Sequence, residues 1–446
     1  MFQFKDKNNL SITASSEATI RNLEIFEESL LGSLNTVDDI FIIAENDKQC
    51  PLAQIYSALL HISSSTNLGY IKAEKYLNVA LELFQYTTPR EQAIIESTKL
   101  WFFKKRHLSA SILDQILTEY PTDIISAKWA QLLYFEIGSS AGILKAPLKV
   151  AKSFENNAHI HGMLAYGYEE CYLLEKAEKS VNKALKIQPS EPWAHHAMAH
   201  ICESKNAIDY GLSFMYEYSH TWEKFTPFIT THNWWHLSLF MIDLGQEHKV
   251  LDLFDSYVWN KDKNCIYEQI NAISLLYRLE RIGIDVGTRW NKVAEYAEQY
   301  SDENISIFLN FHILYILKKV DNKKYLNLSK NMTSLNENYS IEKYKTSKKL
   351  AKSIEFLLDN NYKKSIQYIE EINFNIQEIG GSHAQRDIIN LFYIDSLIGG
   401  KKWEEVQQML SKRHFLRPKT LWIKRQLEYT YNNLGFKKEE LLQCFI

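Results

Sequence analysis

The stretch Gly162-Met163-Leu164-Ala165-Tyr166-Gly167-Tyr168-Glu169-Glu170-Cys171-Tyr172-Leu173-Leu174-Glu175-Lys176-Ala177-Glu178-Lys179-Ser180-Val181-Asn182-Lys183-Ala184-Leu185-Lys186-Ile187-Gln188-Pro189 decides the fold. Its first half sets the small residues Gly162, Ala165 and Gly167 among larger apolar ones. A turn follows near Leu173-Leu174-Glu175. Ala177, Val181 and Ala184 then recur at helical spacing among lysines and glutamates until Pro189 closes the unit. A similar unit runs from Leu237 through Gly245 into Val250-Leu251-Asp252-Leu253-Phe254. Val250 lies 73 residues after Ala177, which fits two periods of about 34 residues with a small insertion. Between them, 192–220 reads as a degenerate copy. Weaker helix pairs come before it, at 53–83 and 91–117, and after it, at 269–281, 305–317, 353–369, 385–397 and 403–411.

Composition agrees. Among 446 residues Gly occurs 15 times and Pro 8 times, about 3% and 2% against typical usages of about 7% and 5%. That is too few turn residues for an all-β chain, and fewer than a doubly wound α/β chain normally carries. The expected class is all-α. Hydrophobic residues at 46% and aromatics at 13% exclude a disordered chain. With 51 basic against 54 acidic residues and no long run of one sign, nucleic acid is not an expected partner. Cys50, Cys171, Cys202, Cys265 and Cys444 are scattered without a CxxC pair and read as reduced thiols. The start lacks a signal-type apolar core, and apolar runs such as 40–44 fall far short of the ~20 residues of a membrane span. A cytoplasmic protein with no membrane partner is expected. GxGxxG, GxxxxGK[ST], GxSxG and clustered cysteine ligands are missing, so nucleotide-dependent and serine-hydrolase chemistry has no foothold.

The 162–189 unit resembles a tetratricopeptide repeat (TPR). The resemblance implies an α-solenoid of antiparallel helix pairs, either open or closed into a compact superhelix, with the first helix of each pair lining the concave face. On that frame 1–158 are degenerate helical hairpins, 159–260 TPR-like repeats and 261–446 C-terminal helical repeats of one continuous solenoid. Eight of the 14 histidines fall between 159 and 236. His161, the pair His196 and His200, and the pair His232 and His236 all lie on successive first helices and are expected to converge inside. At i, i+4 two imidazoles share a helix face about 6 Å apart at Cβ, a spacing that lets them share a metal ion or a substrate. Glu203, three residues beyond His200, can orient an imidazole or act as a base. Burying four such rings without ligand or network costs ~1–3 kcal/mol for each unsatisfied group. The bland alternative is that they bridge repeats through backbone groups or through Glu169 and Glu170. No H-E-x-x-H or E-x-x-H placement accompanies them. His159, His195 and His220 read as surface or packing residues. The Trp234-Trp235 pair reads as repeat packing on one side and pocket wall on the other.

At 193–203 and His232-Asn233-Trp234-Trp235-His236 the chain resembles the tetratricopeptide repeat protein 38 family. Ser274-Leu275-Leu276-Tyr277-Arg278-Leu279, Val286-Gly287-Thr288-Arg289-Trp290 and Gly380-Gly381-Ser382-His383-Ala384-Gln385-Arg386-Asp387 extend that likeness over about 162–425. The resemblance carries no established activity. It marks Glu170, His196, His200, Glu203, His232, His236, Arg278, His312, Arg386 and Asp387 as pattern positions, and His161 as none. The pattern tends to Asp where this chain has Asn271 and Asn310. Ser382 and Gln385 also fit a capping box.

The resulting expectation is a concave pocket for a small molecule. His196, His200, His232, His236, Glu203 and Glu170 would supply acid/base or metal-assisted catalysis, with the four histidines as ligands of a divalent metal. His312, Arg278, Arg386, Trp235 and Asn271 would hold the substrate, the arginines taking an anionic group. The alternative is an interaction scaffold whose groove holds a peptide or helix, and a closed structural protein with a buried imidazole network is a third. A monomer and a homodimer fit equally.

Overall fold

A computed structural model describes residues 2–335, 340–437 and 440, which leaves Cys444 outside the described residues. Successive helices pack as antiparallel hairpins along the chain. In the opening unit the helices are Ala158–Glu170 and Leu174–Ile187, joined by a three-residue turn. The first is buried nearly all round, and the second buries only Ala177, Val181 and Ala184. The all-apolar and amphipathic halves of the sequence are thus an inner and an outer helix. Pro192–Ser204, Pro227–Asp243, Ile266–Arg281 and Ile307–Lys319 are further inner helices, buried along most of their length.

The inner-to-outer turns phase the repeats that periodicity leaves unphased. Just after each inner helix one residue lies in the left-handed region: Ser65, Lys104, Gly138, Tyr172, Asn206, Gly245, Gly283, Asp321, Asn360 and Lys401. Lys104, Gly138, Tyr172 and Asn206 stand 34 residues apart, the tetratricopeptide period. The other intervals are longer. The chain is an all-α solenoid of TPR-like hairpins.

The N-terminal helices are preceded by two short strands. Phe2–Lys5 and Ser11–Ala14 form an antiparallel hairpin in register Phe2 to Ala14. Asp6 accepts from the backbone of Asn8 and Leu10, and Asn9 takes a left-handed φ of 61°. Strands of four residues alternate too briefly to register as a pattern.

The solenoid closes on itself. The backbone N–H of Asn67 donates to both Glu303 oxygens at 2.8 and 3.0 Å, and Ile305 packs into the N-terminal apolar cluster. The C-terminal helix Leu421–Asn433 lies against Pro227–Asp243, where Trp422 Nε1 donates to Asp243 Oδ1 at 3.0 Å. No described helix is long and apolar enough to cross a membrane.

Candidate functional site

Glu191 caps the helix Pro192–Ser204 through the Ala194 N–H, with Pro192 in its first turn, and Pro227 opens Pro227–Asp243 in the same way. These starts set the rotation of both helices so that His196, His200, His232 and His236 face one another. One ligand atom from each lies within 4.8 Å of all the others, and all four rings are buried. His200 Nε2 stands 3.1 Å from His196 Nε2. Nitrogens sharing a tetrahedral ion at Zn–N ≈ 2.0–2.1 Å are ~3.3 Å apart, so this pair is already near ligand spacing.

The surroundings orient the rings. The Asn271 amide donates to Thr231 Oγ1 at 3.2 Å, so its oxygen faces His232 and accepts from Nδ1 at 3.0 Å. That fixes the tautomer and leaves the His232 Nε2 lone pair for the cluster. Asn271 is therefore an orienting residue for the cluster. Trp235 stacks on His232 at 5.1 Å and meets His236 edge-on. Its Nε1, His196 Nδ1 and His236 Nε2 are buried without a hydrogen-bond partner among the described residues. Burial pushes His196, His232 and His236 far below the ordinary imidazole range, His232 to about 3, so these rings are neutral with free lone pairs.

Two side chains that periodicity does not single out complete the site. Glu169 ends the helix Ala158–Glu170 beside Glu170, and His383 opens the helix His383–Gly399 after a Ser382–Gln385 capping box. Glu169 Oε2 lies 3.2 Å from His200 Nδ1, and Glu169 Oε1 lies 3.4 Å from His383 Nε2. Glu170 Oε1 is 3.5 Å from His383 Nδ1. Burial lowers the His383 pKa, but the contact with Glu170 and the charges of Glu169 and Glu203 outweigh it and hold the ring at about 9. Lys128 is likewise unannounced by sequence, a lone lysine in an inner helix. It is buried 3.9 Å over the Trp193 ring, and desolvation brings it to about 7.

Other expected site residues have different partners. Glu203 accepts from Arg417 Nη2 at 2.7 Å; burial raises its carboxyl, but the Arg417 guanidinium and the neighbouring imidazoles together outweigh that and hold it low. It is an ion-pair member rather than an imidazole-orienting base. His312 Nδ1 meets the Phe308 carbonyl at 2.8 Å and the ring stacks on Phe311 at 3.9 Å, outside the four-histidine set. Arg386 bonds the carbonyls of the Gly380-Gly381 turn, so its anion-holding role gives way to a turn-bracing one. Arg278 bonds Ser274 and lies over Trp235 at 5.4 Å; burial lowers it to about 10. Asp387, held low by Arg413 despite burial, makes a two-pronged pair with it at 2.7 Å. Asn310 bonds the Glu303 carbonyl and His161 Nε2 meets that of Glu155, both outside the cluster. His159 pairs with Glu28 and Glu191, and His195 bonds the Pro189 carbonyl, so both are buried packing residues, while His220 is exposed.

Two small cavities flank the histidines. One, about 40 Å³, touches His236, Glu203, Arg278, Asp387 and Arg413. The other, also about 40 Å³, is mainly aromatic and touches His196, His232, Tyr166, Trp193 and Phe228. A water needs ~10–15 Å³ of such volume, whereas small-molecule sites run to ~300 Å³ or more. Beside the histidines there is room for an ion and a few waters. A helix would not fit. An open concavity of about 440 Å³ lies elsewhere, lined by Tyr277, Arg281, Tyr315, Lys318, Tyr362 and Asp395.

No known protein-family model matches this chain. Among solved structures, the crystal structure of the P58(IPK) TPR domain is similar to it at 14% identity, covering 78% of this chain and 99% of that one with a TM-score of 0.23.

Proposed function

We propose that this TPR-like solenoid is a metalloprotein whose interior holds a divalent transition metal on His196, His200, His232 and His236. The observation that carries the reading is the convergence of four buried imidazoles within 4.8 Å, three of which hold ring nitrogens without a hydrogen-bond partner among the described residues. Imidazole donors suit Zn, Cu, Fe and Ni. A bound ion would supply Lewis acidity. Arg278, at the edge of the polar cavity, would hold an anionic group of a substrate no larger than a few atoms, and Asn271 and Trp235 fix the His232 ring.

Protein purified without a tag or chelator is expected to carry at least one equivalent of metal by elemental analysis. His236→Ala, which breaks no hydrogen bond made by the ring nitrogen Nε2, should lose the equivalent held by the four histidines. Trace metal in the wild type, with no uptake by stripped protein, would overturn the reading. The scaffold reading rests on the open concavity of about 440 Å³ at Tyr277, Tyr315 and Tyr362, the one described cavity of a size that would take a peptide side chain.

A further inference from the structure

We propose that Glu169, Glu170 and His383 form a second metal site with His200, and that the His200 imidazole bridges the two ions. The inference rests on the first site being a metal site. Glu169, Glu170, His200 and His383 each place a ligand atom within 4.8 Å of the others, and His200 is the residue common to this set and the four-histidine set. It offers a different nitrogen to each, Nε2 toward His196 at 3.1 Å and Nδ1 toward Glu169 at 3.2 Å. A ring so placed, with no exposed surface, can serve two cations at once.

The carboxylates point the same way. Glu169 is fully buried, yet among the described residues neither of its oxygens has a hydrogen-bond partner, and neither do Glu170 Oε1 or His383 Nδ1. The imidazoles are at ion-pair distance without hydrogen-bond alignment, which leaves buried anions poorly satisfied. Both acids also close the helix Ala158–Glu170, where the dipole is already negative. Two acids at the carbonyl end of a helix, inside a protein, call for more positive charge than the single His383 imidazolium beside them. Two carboxylates and two imidazoles suit Zn, Mn or Fe. His383, one-fifth exposed, is the solvent-facing member through which an ion would arrive. Bridging requires both His200 nitrogens to be deprotonated, and His383 must also give up its proton. These protons leave to solvent as the ions bind.

The test is a titration of the metal-stripped full chain with Co(II) and, separately, Cu(II), counting bound metal after gel filtration. Wild type should take up two equivalents, Glu170→Gln and His383→Ala about one, and His236→Ala about one. With two Cu(II) bound, coupling through the shared ring should remove most of the paramagnetic resonance signal seen at one equivalent. This readout uses the unmutated protein. Saturation at one equivalent, unchanged by Glu170→Gln, would overturn this inference while sparing the four-histidine site. No uptake at all would overturn both, and two ions with a full uncoupled signal would overturn the bridge.

Discussion

Burial sets the charge of the histidine cluster before any ligand does. In the folded chain His196, His232 and His236 are held neutral far below 6.5, while in the unfolded chain imidazoles titrate near that value. The unfolded state therefore takes up protons first as pH falls. Stability of the metal-stripped protein should drop below pH 6.5 by ~1.4 kcal/mol per group per pH unit, with the His232 share complete near its folded pKa of about 3. His383 runs the other way. Its folded pKa of about 9 means that its contribution is fully present below pH 6.5 and is lost as pH rises through about 9. Thermal melts from pH 4.5 to 9.5 should peak near neutrality, with His232→Gln flattening the acid limb and His383→Gln the alkaline one. The two halves of the site differ in how visible they are in sequence. His196, His200, His232 and His236 announce themselves by i, i+4 spacing on neighbouring inner helices. Glu169 and His383 belong to no local pattern: one is a helix's closing acid, and the other opens a helix 183 residues beyond His200. Only closure of the solenoid brings them together.

The small residues of the opening unit are small because backbone lies against them. A Cβ on Gly167 would stand 2.7 Å from Leu144 Cα and 3.1 Å from the Ile143 carbonyl, both backbone atoms of the helix Ser140–Val150. In isolation Gly→Ala within a helix gains about 0.5–1 kcal/mol. Here the helices would have to separate, and overpacking of this kind typically costs ~1–3 kcal/mol. Gly167→Ala should therefore lower the urea midpoint with an unchanged slope, a net loss of about 1–2 kcal/mol. A gain in stability would show that the contact yields. The turns explain why only the central repeats are legible in the sequence. Three of the ten left-handed turn positions are glycine, and the rest include Lys104, Tyr172 and Lys401, which carry no turn signature. These turns are held by the packing of the helices they join, so their period appears in φ and not in residue type.

At the scale of the whole molecule, closure turns a chain of neighbour contacts into one body. An open solenoid loses its repeats piecemeal because each touches only its neighbours, but here the C-terminal segment reaches back more than 200 residues, Arg417 to Glu203 at 2.7 Å and Lys419 to Asp209 at 2.7 Å. The Lys419 pair is exposed on both sides and contributes little. The Arg417 pair is different, because Glu203 is buried beside Asp387 and Asp243, and Asp243 is itself pushed up to about 6 by burial. Removing the guanidinium leaves a carboxylate in the interior with its nearest cation gone. Breaking a buried pair from one side costs ~3–5 kcal/mol. With Arg417 one-quarter exposed, we expect about 2–3 kcal/mol for Arg417→Ala. Adding Glu203→Gln to that variant should recover most of the loss, since an amide needs no counter-charge. If Glu203 served the histidines as base or ligand, the double variant would instead regain stability and lose metal uptake. Chemical denaturation of the single and double variants, read alongside metal content, separates the two roles, and the ion-pair role requires uptake to stay at the wild-type level.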